Sequence, residues 1–281
     1  MSLKNQRIEK ICIPMPLVQK IGVIYEHKGK QALYFEQPPG VLRRFKESVI
    51  FESTKASNSL EGIKIPDYRL SALIREQSLP QTTWEAEIAG YRDVIALIQE
   101  SYKDIPVKAS VLLQLHRDIY RYSRRQGGFW KTGDNAIVET LPDGNNLIRF
   151  QPVPAFQTSS AVDELMLHYN EYALNNEIEP LILVAATVLD FLCIHPFTDG
   201  NGRLSRLLTQ LLLCQHGFLV GQLVSLEKII EETKDAYYQA LYESSKGWHE
   251  GKHDLLPWIG YFVDTILAAY VELASKLKVN N

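Results

Sequence analysis

A twelve-residue run, HPFTDGNGRLSR at positions 195–206, combines residue types that suit the chemistry of phosphate groups. His195 can accept or deliver a proton near neutral pH, and Asp199 supplies the hard oxygen ligand that Mg²⁺ prefers. Gly200 and Gly202 permit sharp turns from which backbone N–H groups can converge on an anion. The run therefore predicts a site for a metal-bound phosphate with a proton-transfer residue beside it.

A helix is predicted to begin inside this run and to present its N-terminus to the same spot. The unpaired N–H groups and the dipole of a helix N-terminus favour negative charge. Arg203 and Arg206 are three residues apart, so we expect them to share a helix face and both to reach bound phosphates. A glycine turn that caps an ordinary helix explains each residue singly, but the complete set favours the phosphate site.

The run resembles the signature of the Fic family, H-P-F-x-[DE]-G-N-G-R-x-x-R, and matches every defined position. Fic proteins mostly transfer AMP from ATP to a Ser, Thr or Tyr hydroxyl of a target protein and release pyrophosphate. The resemblance implies that His195 is the general base for that hydroxyl and that Asp199 binds Mg²⁺. It also implies a phosphate cradle and two clamps on the β- and γ-phosphates, formed by Gly200, Asn201, Gly202, Arg203 and Arg206.

The length of 281 residues suggests one large domain or a core with an appendage, and 46% hydrophobic residues can fill a sizeable core. The net charge of −3 gives no support for bulk binding to nucleic acid or to a membrane surface. Three cysteines in apolar contexts, and an N-terminus without an apolar signal core, indicate a reduced, cytoplasmic protein. The apolar stretch 181–194 is interrupted by Asp190 and is too short to span a bilayer.

Apolar periodicity predicts an all-α, mainly helical fold. Helices are predicted at 41–60, 85–102, 109–122, 163–172, 180–194, 201–216, 231–244 and 257–277, whereas the proline-punctuated first forty residues receive no assignment. The segment 180–194 is apolar nearly all round, as a central helix should be. We divide the chain into an N-terminal helical region, 1–100, and a catalytic core with C-terminal helices, 101–281.

One β-hairpin is predicted within the helical chain. Residues 136–141 and 147–151 are strand-like, and Pro142, Asp143, Gly144 and Asn145 form the turn between them. The hairpin is either a simple surface excursion or an edge that receives an extended target segment by strand addition. The Fic resemblance implies the second: a flap near the active site that holds the acceptor hydroxyl beside the catalytic histidine, with Ala136, Ile137 and Val138 as its docking residues.

The segment SNSLEG at 57–62 suggests an internal inhibitor. Glu61 lies in the last turn of a predicted helix, where the dipole disfavours a carboxylate, so a cationic partner elsewhere is expected. Ser57, Glu61 and Gly62 match the Fic inhibitory motif [ST]-x-x-x-E-[GN]. The resemblance implies a contact between Glu61 and Arg206 that neutralises the γ-phosphate clamp. A solvated glutamate beside a helix end is the structural alternative.

Two further patterns lie toward the C-terminus. Tyr237 and Tyr238 resemble the Fic segment that lines the adenosine site, but adjacent helical residues point about 100° apart, so at most one faces the base and core packing explains the pair equally well. The run 249–253, HEGKH, formally matches the zinc pattern H-E-x-x-H. We reject a zinc site because Gly251 weakens the helix turn that such ligands need.

Other functions remain open at this stage. Removal of AMP from a modified protein would use the same residues, with Glu61 positioning a water. Transfer of a phosphate is disfavoured because the phosphorylating branch of the family departs from the G-N-G-R core; phosphocholine transfer is a further variant. A non-catalytic nucleotide-binding module would fit better if the histidine were absent. The target, self-modification and a homodimer through the N-terminal region are likewise open.

Overall fold

The computed structural model describes residues 1–140 and 144–278. Its α-helices are α1 (Met15–Phe35), α2 (Pro39–Leu60), α3 (Asp67–Ile74), α4 (Thr83–Ser101), α5 (Ala109–Ile119), α6 (Thr158–Asn175), α7 (Pro180–Ile194), α8 (Asn201–Gln215), α9 (Leu226–Glu232), α10 (Lys234–Ser245) and α11 (Leu256–Lys278). Strands β1 (Ile137–Thr140) and β2 (Asn146–Phe150) form one antiparallel hairpin. The expected all-α fold with one hairpin is confirmed; Leu141, Pro142 and Asp143 of the predicted hairpin lie outside the described residues.

Helix α7 is the central element of the fold. Every residue from Leu181 to Ile194 is buried, and the helix packs against α6, α8 and α11. Pro180 occupies the first turn, where its missing N–H costs nothing, and the Glu179 carboxylate caps that turn by accepting from the Ile182 N–H. The helix predicted at 180–194 therefore has the observed bounds, and it delivers His195 at its C-terminal end.

The hydrophobic core runs continuously through both halves of the chain. One cluster of buried side chains extends from Leu3 and Ile24 to Leu273. Helix α1 packs along α11, and α2 packs along α9. The division between residues 1–100 and 101–281 stays a prediction.

Two helices in the N-terminal region are absent from the sequence prediction. Helix α1 covers 21 residues of the segment that receives no assignment, and α3 lies between the helices predicted at 41–60 and 85–102. Prolines that looked like interruptions start helices instead: Pro16 lies in the first turn of α1, and Pro39 begins α2. The helix predicted at 231–244 is in fact split between α9 and α10 at Thr233.

A buried carboxylate joins the first residues to the central helix. Asp190 of α7 is fully buried and accepts hydrogen bonds from the backbone N–H groups of Ser2 and Leu3. It also accepts from the Ser2 hydroxyl and, at 2.6 Å, from the indole N–H of Trp248. The polar residue that interrupts the apolar helix is thus the anchor of the N-terminal segment.

One helix of the described residues, Leu256–Lys276, is long and apolar enough to cross a membrane by length and composition. Half of its most apolar window is buried inside the fold, and core helices of soluble proteins pass the same test. The three cysteines are free; Cys193 and Cys214 are buried and Cys12 is exposed.

Candidate active site

His195 is the C-terminal cap of α7 and has a left-handed backbone, with φ of 50°. Its Nδ1 lies 3.2 Å from the Leu192 carbonyl oxygen, which can only accept, so this nitrogen carries the proton. The other nitrogen, Nε2, is left with a free lone pair. Burial lowers the pKa of His195 to about 4, so the imidazole is neutral at physiological pH and can act as a base.

Asn201 braces the loop that follows the histidine. Its Oδ1 accepts from the Phe197 N–H at 2.9 Å, and its Nδ2 donates to the Phe197 carbonyl at 2.7 Å. The side chain is 2% exposed and both of its polar atoms are used. The Asn201 amide therefore holds the loop, and the expected role of Asn201 in the phosphate cradle stays a prediction.

His116 supports the same loop from α5. The Gly128 N–H donates to its Nδ1 at 2.9 Å, so its Nε2 carries the proton and donates to the Asp199 carbonyl at 3.0 Å. Its ring stacks on Phe197 with centroids 3.7 Å apart. Burial lowers the pKa of His116 to about 4, and the neutral ring acts as a fixed strut for the loop.

The first turn of α8 is shaped by two glycines. Gly200 is its N-cap with φ of 82°, and a Cβ there would also press against the Tyr120 hydroxyl at 3.0 Å. A Cβ on Gly202 would collide with Oε1 of Glu61. The N-terminus of α8, predicted to bind an anion, thus lies directly against the Glu61 carboxylate, and only glycine at position 202 permits that approach.

Glu61 and Ser57 both bind Arg206; the Fic resemblance implies the contact with Glu61, and the contact with Ser57 is an additional finding. Oε1 of Glu61 accepts from Nη2 of Arg206 at 2.7 Å, and the Ser57 hydroxyl and carbonyl accept from Nε and Nη2 at 2.7 and 2.9 Å. Glu61 is the C-cap of α2, and Gly62 follows with φ of 77°. Arg206 is 4% exposed; burial opposes its charge, but the Glu61 carboxylate and nearby tyrosines outweigh burial and raise the pKa of Arg206.

Arg203 has different partners from Arg206, and its expected role as a phosphate clamp stays a prediction. Its Nη1 donates to Glu87 Oε2 at 2.7 Å, and its Nη2 donates to the Tyr120 hydroxyl at 2.8 Å. The side chain is 1% exposed. Although the two arginines lie one turn apart on α8, their guanidinium groups bind different elements, because a buried carboxylate on α4 holds Arg203.

Asp199 is the carboxylate of the loop that faces solvent, with 55% of its side chain exposed. Its Oδ1 accepts from the Gly200 N–H at 2.7 Å, and its Oδ2 accepts from Nη1 of Arg125 at 2.9 Å. Arg125 also lies 3.6 Å from Glu87 Oε1. Within residues 1–140 and 144–278, His, Cys, Asp and Glu form no group of three or more that could hold a metal.

The two adjacent tyrosines occupy different environments, as their helical spacing requires. Tyr237 is 3% exposed and packs edge-on against the rings of Trp258 and Tyr261. Tyr238 is 49% exposed, and its hydroxyl donates weakly to the Leu60 carbonyl at 3.4 Å, beside the turn that ends α2. Tyr237 is therefore a core residue and Tyr238 is the one that faces outward near the site.

The flap presents a partly open edge. Ile137 is half-buried opposite Phe150, a bulge follows, and Val138 pairs with Ile148 and is 47% exposed. Ala136 is exposed and immediately precedes β1. The docking role of Ala136, Ile137 and Val138 stays a prediction.

The zinc pattern at 249–253 does not form a site. Nε2 of His249 lies 2.7 Å from the Gln151 carbonyl, and Nε2 of His253 lies 2.9 Å from the Ser2 hydroxyl. The two rings therefore serve different neighbours.

Comparisons with known proteins agree with this geometry. The Fic/DOC family model matches residues 106–213, which contain α5, the flap, α7 and the loop 195–200. The chain is a Fic family protein. A crystal structure of a Fic family protein from Desulfovibrio desulfuricans superposes with a TM-score of 0.75 at 20% identity, over 95% of this chain and 76% of that one.

Two curated relatives align with the Fic domain. A Fido domain-containing protein of Dictyostelium discoideum is 30% identical over 101 residues, or 34% of this chain and 66% of the relative. The protein adenylyltransferase fic-1 of Caenorhabditis elegans is 30% identical over 113 residues, or 40% of this chain and 20% of the relative. The alignments thus span less than two thirds of these relatives' own lengths.

Several residues that contact the site are not predicted from the sequence. Glu87 and Tyr120 hold Arg203, Arg125 holds Asp199, and Lys131 contacts the loop at His195. The available signals are weak: Glu87 is a carboxylate inside a helix that is otherwise apolar on that face, and Lys131 follows Phe129 and Trp130. Their partners lie 63 to 116 residues away in sequence.

Proposed function

We propose that this protein transfers AMP from ATP to a Ser, Thr or Tyr hydroxyl of a target protein and that Glu61 restrains the reaction. The observation that carries the proposal is the pairing of a neutral base with an anion-binding helix end on one short loop. His195 stands at the start of the loop, and the N-terminus of α8 stands at its end. The relative from C. elegans is named a protein adenylyltransferase.

The reaction follows from the groups at hand. Nε2 of His195 takes the proton of the target hydroxyl while the hydroxyl oxygen attacks the α-phosphorus of ATP. The bond from the α-phosphorus to the bridging oxygen breaks, and pyrophosphate leaves with the electron pair. The N–H groups of the first turn of α8 and the Arg206 guanidinium stabilise the charge on the phosphates. Such a transfer depends mainly on positioning and electrostatics.

Asp199 fits a role as the protein ligand of Mg²⁺. The ion commonly binds through one or two carboxylates together with substrate phosphates and waters, and Asp199 offers an exposed carboxylate beside the phosphate site. Bound there, Mg²⁺ would neutralise charge on the phosphate oxygens. Arg125 must first release Oδ2 of Asp199.

The position of the Glu61 carboxylate supports the proposed restraint. Its carboxylate occupies the N-terminus of α8, where a phosphate would bind, and engages Arg206, which would otherwise bind a phosphate. A carboxylate and a phosphate cannot share that position without repulsion. ATP would therefore bind with its phosphates displaced from the line of attack.

The flap would supply the target in this scheme. The exposed edge at Val138 would add a strand from the target and present its hydroxyl to His195. We propose a cytoplasmic location; self-modification and a homodimer are compatible with the scheme, and the experiment on intact protein reads out self-modification.

The test is mass spectrometry of intact protein and of peptides after incubation with ATP and Mg²⁺, with host lysate as the target source. Three proteins are compared: wild type, Glu61→Gly and His195→Ala. We expect an AMP adduct that strengthens at least tenfold in Glu61→Gly, because the anion site is vacated, and vanishes in His195→Ala. Equal labelling of wild type and Glu61→Gly, both folded, would contradict the restraint.

Removal of AMP is the second candidate. Glu61 is 30% exposed at its side chain and lies inside the phosphate site, so it could hold an attacking water there. The same three proteins are therefore incubated with an AMP-modified peptide. Release of AMP that requires both Glu61 and His195, without transfer from ATP, would replace the proposal; ATP binding with neither activity would indicate a nucleotide-binding module.

A further inference from the structure

Lys131 is a buried lysine at the root of the flap, outside the 195–206 signature. Its backbone N–H donates to the Pro196 carbonyl at 2.9 Å, and its Nζ donates to the Ile194 carbonyl at 3.2 Å. These carbonyls belong to the residues on either side of His195. One residue therefore holds the chain immediately before and immediately after the histidine.

The same side chain is tied to the flap through Asn135. Nζ of Lys131 donates to Asn135 Oδ1 at 2.8 Å, and Nδ2 of Asn135 donates to the Phe197 carbonyl at 3.1 Å. Gln151, which directly follows β2, donates from Nε2 to the Asn135 carbonyl at 2.8 Å. The network thus runs from the ends of both flap strands to the catalytic loop.

The backbone of His195 needs such support. A left-handed conformation is costly for a residue with a side chain and persists only where neighbours fix it. Ile194 is also the last residue of α7, where a cation is favoured by the helix dipole. The Lys131 ammonium meets both needs at one position.

Charge is the second consequence of this placement. Burial lowers the pKa of Lys131 to about 8, and Asp134 opposes that shift, so the ammonium is charged at neutral pH. For His195, burial is the largest cause of its low pKa; Lys131 adds to the lowering, whereas Glu61 and Asp199 act in the opposite direction. Loss of the Lys131 charge should therefore raise the pKa of His195.

We propose that Lys131 is the positioning residue of His195, which it joins to the flap so that the base and the docked target segment share one rigid frame. The proposal rests on the proposed function for its catalytic meaning. Its physical content, a link between the flap root and the histidine, can be measured without turnover.

The experiment compares Lys131→Met with Lys30→Met, a matched loss of an exposed lysine on α1, both in the Glu61→Gly background. NMR titration of the imidazole carbons gives the His195 pKa, with His195→Gln to assign the signal. We expect the pKa to rise by about half a unit or more in Lys131→Met. We also expect kcat for AMP transfer to fall at least tenfold with the Kd for ATP unchanged, and no change in Lys30→Met.

An unchanged His195 pKa in a folded Lys131→Met protein would overturn the proposal, and so would a loss confined to ATP binding. If Lys131→Met does not give a cooperative melting transition, the same titration is made on Asn135→Ala. This variant removes the acceptor that orients the Lys131 ammonium. A rise of the His195 pKa in that variant supports the link, and no change overturns it. Absence of AMP transfer in every protein would remove the proposed function, while the titration would still judge Lys131.

Discussion

Arg203 and Arg206 lie one turn apart on α8 but have different surroundings. Arg203 is held by Glu87 of α4, a carboxylate with 4% of its side chain exposed. Arg206 is held by Glu61, whose side chain is 30% exposed and which stands at the end of α2 beside a glycine. Both arginines are buried, but the hydrogen-bonded carboxylate is buried for Arg203 and partly exposed for Arg206.

Under the proposed restraint, this difference separates a structural arginine from a regulated one on the same helix. A buried ion pair is weak as a source of stability, yet losing one member leaves an uncompensated charge. Arg203 and Glu87 therefore form a structural ion pair that holds α8 against α4. Arg206 still donates two hydrogen bonds to Ser57 when Glu61 departs, so the loss of Glu61 is tolerable. This contrast makes Arg206 the arginine that a regulated site would use.

The largest expected effect follows from Glu87. Replacement by Ala should lower the free energy of unfolding by about 3–5 kcal/mol, because the buried Arg203 guanidinium loses its hydrogen-bonded carboxylate and keeps only the exposed Asp199 at 3.9 Å. Glu61→Ala serves as the matched control and should cost only about 1 kcal/mol, since this pair is partly exposed. Urea denaturation followed by circular dichroism measures both. Equal losses in the two variants would erase the contrast between the arginines.

A smaller effect is expected at Ser57. Ser57→Ala removes the hydroxyl that accepts from Nε of Arg206, so the arginine is held less firmly against Glu61. One such hydrogen bond contributes about 1 kcal/mol, and part of it is kept when Glu61 departs, so the basal rate of AMP transfer should rise by at most about fivefold, less than in Glu61→Gly. Ser59→Ala, on the same helix, is the control and should leave the rate unchanged. A fall in rate would mean that Ser57 serves substrate binding instead.

The smallest effect is expected at Arg125, which joins the Glu87 side of the site to Asp199. Arg125→Ala should tighten Mg²⁺-dependent binding of ATP about threefold, because an exposed ion pair no longer competes for Asp199. Isothermal titration calorimetry at several Mg²⁺ concentrations measures this change, with the exposed Arg124→Ala as control. Weaker binding in Arg125→Ala would show that the arginine assists the phosphates directly.

Much of the fold follows from local pattern. Helix α7 is predicted with its observed bounds because its residues are apolar on all sides and a proline starts it. Helix α1 is not predicted, because Pro14 and Pro16 look like breaks, although Pro16 sits in the first helical turn. The break at Thr233 is also invisible, since the Thr233 side chain bonds back to the Ile229 carbonyl within an apparently continuous helical pattern.

The site divides in the same way. Roles that depend on adjacent residues, such as the turn at Gly200 and the helix that follows it, can be predicted from the sequence. The contact between Glu61 and Arg206 is expected only through the family resemblance. The partners of Arg203 and His195 come from α4 and from the flap root, and only the tertiary structure brings Glu87 and Lys131 to them.

The stability of the turn that ends α2 determines the residual rate of AMP transfer under the proposed restraint. The Glu61, Gly62 and Ile63 N–H groups donate to the carbonyls of Asn58 and Ser59, so three backbone hydrogen bonds fix the turn. At about 1 kcal/mol each, unwinding them costs roughly 3 kcal/mol and leaves the turn open in somewhat under 1% of molecules. Hydrogen exchange at these amides would report that fraction, which sets a floor for the resting rate. Restraint by a helix end is therefore graded and not all-or-none. A partner that binds the unwound turn would raise the rate of AMP transfer without moving a domain.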